Sequence, residues 1–245
     1  MKYLRVTLLL LLCWCGCVAP QAHAWTLTQV KHIAAGCTTS PCVVTLASTG
    51  ANHLLVVGLT SNSATAALGA PPAAACAVSW VHGPNAPNTA AGNADDAYYC
   101  LQSNSGITSF SQPVTGTLNT TDICVWEAAL SLTAMALDTG AVPAQQASDA
   151  TCTACAGVPL TLSGNADFIV VMSGGGGAVS NLTGTGFTLD FTTSFGDGFG
   201  HGLTTGSLTA PATWTASSGT QAPYAIAFQE LPATLHNFTV SPIVP

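Results

Sequence analysis

The chain has 245 residues, 48% of them apolar and only 5% charged, and ten acidic residues against three Lys and Arg give a formal net charge of −7. Ordinary globular chains carry roughly 25% charged residues, and a surface this poor in cations cannot neutralise phosphates or anionic headgroups, which excludes nucleic acid and anionic membrane surfaces as partners. Solubility must rest on Ser, Thr, Asn and Gly, a chemistry suited to neutral polar ligands or to self-association.

In chain order, Lys2 and Arg5, the apolar run from Val6 to Val18, and Ala22-His23-Ala24 form the pattern of a secretory signal, with cleavage expected after Ala24. The apolar core is shorter than the about 20 residues a membrane-spanning helix needs. An alternative reading acylates Cys17 as a lipoprotein anchor, although Trp14 stands where such signals carry an aliphatic side chain. Cleavage leaves one expected domain over 25–233 and a tail over 234–245. The product is secreted or held at the cell surface.

Short β-rich runs broken by Gly, Pro, Asn and Ser then recur along the chain, so the expected class is all-β: a two-sheet antiparallel sandwich, jelly-roll-like. LLVVGL (54–59) and FIVVM (168–172) are continuous apolar runs that predict central strands covered on both faces. CAVSWV (76–81), AYYCL, ICVWEAAL and YAIAF supply further strands. GFTLDFT alternates, placing Phe187, Leu189 and Phe191 on one side and Asp190 on the other. Pro113 and Pro223 are expected at edges or strand starts.

Outside the signal stand Cys37, Cys42, Cys76, Cys100, Cys124, Cys152 and Cys155. Export makes disulfides their expected use: Cys37 with Cys42, Cys76 with Cys100 and Cys152 with Cys155, leaving Cys124 buried and free. A four-thiolate zinc site built from the two close pairs is the alternative.

An internal echo suggests two pseudo-equivalent halves. TLASTGANHLLVVGL (45–59) parallels TLSGNADFIVVMSG (161–174), and CVWEAAL (124–130) parallels AFQEL (227–231), in the same order. NHLLVVGL, ADFIVVMS and ICVWEAALSL together resemble a recurrent type of secreted bacterial β-sandwich domain of unknown function. That resemblance spans roughly 40–232 and implies a jelly-roll or lectin-like fold; it carries no catalytic residues.

No nucleophile elbow, zinc-protease, phosphate-loop or dinucleotide motif occurs, so a non-catalytic role is expected. Glu127 and Glu230 lie at corresponding points of the echo and are the candidates for a glycosidase carboxylate pair; the plainer reading has each bordering a core strand. Trp80 and Trp214 are expected at the surface as a sugar-stacking platform, with His82 and Asn85 as hydrogen-bond partners, whereas Trp126 reads as core. No cofactor is expected; Asp95 and Asp96 in GNADDAYY, and Asp197 in FGDGFGHG, are the candidates should calcium bind. Alternate glycines from Gly196 to Gly202 leave a bare strip of backbone for an aromatic side chain, a ligand or another strand. The expected role is an exported binding module for a neutral polysaccharide or cell-surface component. A self-assembling surface protein is the alternative, with the tail as a donated strand.

Overall fold

The computed structural model describes residues 25–33, 36–84, 86–90, 92–116, 118, 120–130, 134–138, 154–156, 160–162, 167–193, 195–204, 212–217 and 221–231. The expected signal with Cys17, Asn85, Cys152 and the tail lie outside these.

Both continuous apolar runs become central strands. β3 (Leu54–Ser61) and β13 (Asp167–Gly175) are buried at every position, as a strand must be when both faces are covered. Around β3 the first large sheet has the order β1 (Trp25–His32), β10 (Thr121–Leu130), β3, β7 (Asn93–Cys100), β5 (Val81–His82), with β6 (Asn88–Ala90) also pairing β7. Around β13 the second has the order β11 (Met135–Leu137), β18 (Gln221–Glu230), β13, β16 (Gly198–Thr204), β15 (Phe187–Thr192). Smaller sheets join β2 (Cys42–Thr45) to β8 (Ser109–Gln112), β4 (Ala67–Leu68) to β9 (Val114–Thr115), and β12 (Ala154–Ala156) to β17 (Thr213–Ala216) to β14 (Val179–Thr183). All strand pairs are antiparallel.

The expected antiparallel sandwich is present, and it is doubled. Numbered within the second half, β11 to β18 form a large sheet ordered first, eighth, third, sixth, fifth, and a small one ordered second, seventh, fourth. This is jelly-roll winding with the fifth strand moved to the larger sheet. The first half repeats it if β8 and β9, interrupted at Pro113, count as one strand and β5 and β6, which both pair β7, as another. Each half is thus a small sheet over a large sheet, and the two large sheets face each other.

Strand alternation builds these layers. Leu54, Val56 and Trp126 from one large sheet meet Phe168, Val170, Met172, Phe199 and Phe228 from the other in a central core. The intervening Leu55, Val57, Leu59 and Val125 turn outward onto Val44, Phe110 and Val114 of the first small sheets. Ile169, Val171 and Ala227 do the same against Leu182 and Trp214. Fully burying one Leu, Val or Phe is worth about 1.5–3 kcal/mol, so the central core alone joins the halves strongly.

Register corrects part of the echo. Leu54 pairs Ala128 and Phe168 pairs Phe228, so Ala128 and Phe228 are equivalent. Glu127 therefore corresponds to Ala227, not to Glu230. Of the expected 76–81 strand only Val81 lies in a strand, β5, because a 3-10 turn over Ala73–Ala75 leads into an isolated bridge between Cys76 and Ser103. A bulge between Leu189 and Phe191 breaks the alternation expected for GFTLDFT. Phe187 and Leu189 pack on the outer core, while Phe191 turns to the central one. Pro223 sits inside β18, beyond the stretch that β11 reaches.

Disulfides join Cys37 to Cys42 and Cys76 to Cys100, and Cys124 is buried and free. Cys155 is also disulfide-bonded. These bonds indicate an oxidising, extracytoplasmic environment. Among the described residues no helix is long and apolar enough to cross a membrane.

Candidate functional site

The edge strand β5 lies beside β7 with His82 opposite Tyr98. Trp80, two residues before His82, shares its face, and Trp80 and Tyr98 are half-buried against the first outer core. Trp80 meets Phe110 edge-on at 5.6 Å, and its indole N–H donates to the Pro72 carbonyl at 2.9 Å, which sets its tilt. His82 stacks on Tyr98 at 4.5 Å and its side chain is 39% exposed.

Beneath this rim lies Asp96, fully buried. Its carboxylate accepts the Leu68 and Ala97 amides, each at 2.8 Å, and His82 Nε2 at 2.6 Å. Burial raises its pKa, while those hydrogen bonds and the His82 charge oppose the rise. With Asp96 ionised, Nε2 carries the proton and Nδ1 points away from Asp96. Asp96 was expected as a calcium ligand; alternation puts it on the opposite face from Asp95, where it fixes the ring of His82.

The other expected residues scatter. Trp214 is 1% exposed, its ring lying over Gly198 where a Cβ would approach it at 2.7 Å. The expectation that it is a surface platform is corrected: the glycine strip serves to seat it, and Phe187 covers Gly202 in the same way. Trp126 is core, as expected. Glu127 faces the outer core of the first half, where Gly50 N–H, His53 Nδ1 and Gln29 Nε2 surround it. Glu230 lies in the other large sheet, opposite Met135. Glu127 points away from that sheet, so these two glutamates do not flank one bond.

Asp95 and Asp197 do come together, and register brings Asp122 to them. Across three neighbouring strands Asp122 pairs Thr60 and Thr60 pairs Asp95, all facing the second half. Asp197 enters from there, accepting the Gly175 amide at 3.1 Å. Burial, and then the Asp197 charge, push the Asp95 pKa well up; burial likewise lifts Asp197 to about 7.

Two more buried polar groups escaped the sequence reading. The bulge at β15 turns Asp190 inward to accept the Trp126 indole N–H at 2.9 Å and to meet His201 Nδ1 at 2.9 Å. Asp167 and Asp138 form a carboxyl pair at the far end of the second half. The signal for all of these was cross-strand register, which one strand's sequence does not contain.

No family model, curated protein or solved structure matches this chain.

Proposed function

We propose that this chain is an exported, non-catalytic binding module that takes a neutral glycan at the Trp80, Tyr98 and His82 rim. The observation that carries this reading is His82, half-exposed, stacked on Tyr98 and tied to buried Asp96 at 2.6 Å. Holding a partly exposed imidazole in one pose removes much of the ordering cost a ligand would otherwise meet. Apolar sugar faces pack on aromatic rings such as Trp80 and Tyr98, while His82 Nδ1 is an acceptor for a hydroxyl. Disulfides and the secretory pattern favour release outside the cytoplasm, with Cys17 acylation the anchored variant of the same reading.

Pull-down on insoluble polysaccharides and tryptophan fluorescence with soluble ones test it. Saturable binding that Trp80→Ala or His82→Ala weakens at least tenfold, and that Trp214→Phe leaves in place, is the expected result. Absence of saturable binding across the panel would refute the glycan reading.

A further inference from the structure

The design that fixes His82 recurs once more in the first half, at His53. His53 Nδ1 meets Glu127 Oε1 at 2.6 Å, as His82 Nε2 meets Asp96 Oδ1 at 2.6 Å; each carboxylate is at most 1% exposed, while the imidazoles are 25% and 39% exposed. A further pair among the described residues, His201 with Asp190, is 10% and 5% exposed and sits against Phe168 and Trp126 of the central core.

Glu127 is surrounded by donors. Gly50 N–H reaches its Oε1 at 2.7 Å and Gln29 Nε2 its Oε2 at 2.5 Å. The Gln29 amide is oriented by Ala47, whose N–H donates to Gln29 Oε1 at 2.8 Å and whose carbonyl accepts from Nε2 at 3.0 Å, so its nitrogen is the end that faces Glu127. The carboxylate therefore takes His53 by its proton-bearing Nδ1. Nε2 is left as an acceptor and makes no hydrogen bond among the described residues. Gly50 gives the ring its seat, since a Cβ there would come within 2.1 Å of it.

The fold itself does not require either pair, and the second half shows this. Leu54 and Phe168 are equivalent, so His53 corresponds to Asp167 and Glu127 to Ala227. Asp96 pairs Leu59 and Tyr98 pairs Val57; the equivalents of Leu59 and Val57, Ser173 and Val171, pair Gly198 and Gly200. The same sheet positions are thus built without an imidazole–carboxylate pair at either place. Burying a carboxylate is costly even when it is paired. A cost borne by one half only, and ending twice in a part-exposed imidazole, serves something other than folding.

Backbone bonds join the two imidazoles on one end of that half. Ser103 N–H donates to the His53 carbonyl at 2.9 Å, and Ser103 Oγ accepts His53 N–H at 3.0 Å and donates to the Gly50 carbonyl at 2.7 Å. On its other side Ser103 bridges Cys76, Asn104 N–H donates to the Ala75 carbonyl at 3.1 Å, and Ala77 N–H donates to the Gln102 carbonyl at 2.7 Å. Segments 50–53, 102–104 and 75–77 therefore lie side by side, and the last runs on to Trp80. At strand spacings His53 and Trp80 are roughly 15–20 Å apart. Gln102, Asn104, Ala77 and Val78 are exposed between them.

From this arrangement we infer that His53 is a second ligand contact, its Nε2 accepting a hydroxyl several sugar units along a chain that packs on Trp80. The strip then takes a run of units of a linear neutral polysaccharide rather than a mono- or disaccharide, with the exposed Gln102 and Asn104 amides beside the intervening hydroxyls. This rests on the glycan reading of the rim and extends it.

Calorimetric titration of the full exported chain with gluco-, xylo- and manno-oligosaccharides of two, four and six units tests it. In the series that the rim binds, Kd should fall by about tenfold or more from two units to six. His53→Ala should keep the disaccharide affinity, which shows that the variant is folded, and lose the gain; Trp80→Ala should weaken both. The imidazole nitrogen spectrum of the unmutated chain gives a second readout: His53 Nε2 should shift with the six-unit ligand and not with the disaccharide. Equal Kd at two and six units, a full gain in His53→Ala, or an Nε2 signal that the six-unit ligand leaves in place overturns the inference and leaves the rim reading standing. Absence of binding at every length overturns both.

Discussion

Replacing Asp167 by Asn should stabilise this protein at pH 8 and leave it nearly unchanged at pH 4. Asp167 is fully buried, and burial first, then the charge and hydrogen bond of Asp138, raise its pKa from 3.8 to about 7. The folded chain therefore keeps a proton that the unfolded chain releases. Stability from this group is complete below pH 3.8, falls as pH rises to about 7, and is flat above. At 1.36 kcal/mol per unit, the difference sets a ceiling of about 4 kcal/mol, and sharing of the proton with Asp138 lowers the expected gain to about 2 kcal/mol. An Asn amide donates to Asp138 as the protonated acid does, without titrating. Urea unfolding of both chains at pH 4, 6 and 8 reads the effect directly. An equal difference between the chains at pH 4 and pH 8, or a variant less stable at pH 8, would refute the reasoning.

Gly198→Ala should destabilise by about 1–3 kcal/mol, because its Cβ would press to 2.7 Å on both the Trp214 ring and Val179 Cγ1; denaturant midpoints measure this. Replacing Cys76 and Cys100 together by Ala opens a link of sequence separation 24 and should cost about 3.5 kcal/mol by the loop-entropy estimate, read from Tm under non-reducing conditions. Cys124, 0% exposed in the central core and with its thiol pKa pushed well up by burial, should resist iodoacetamide until the chain unfolds; peptide mass mapping of native and denatured samples shows whether it does. Trp126→Phe removes one donor to buried Asp190 and should cost about 1–3 kcal/mol, more than the loss of ring area predicts, as unfolding curves would reveal.

What the sequence determined by itself was class, compartment chemistry and the two central strands. LLVVGL and FIVVM are short, apolar at consecutive positions and rich in β-branched residues, as suits a strand covered on both faces, and both lie mid-sheet. The pairing of Cys37 with Cys42 follows from nearness along the chain, and the glycine strip left room for an aromatic ring, a ligand or another strand, of which a ring is what lies on it. The ring that does so is Trp214, and from local composition it read as exposed: TAPATWTASS is polar on both sides, yet β17 turns its Trp inward. Tertiary structure decided which acids meet. Asp95 and Asp96 are adjacent, but alternation sends one to the interface and the other to His82, and Asp122 joins Asp95 through Thr60 on a strand some sixty residues earlier. The number of layers was decided in the same way: inward and outward residues of a strand covered on both faces look alike in sequence, and only the facing sheet tells them apart.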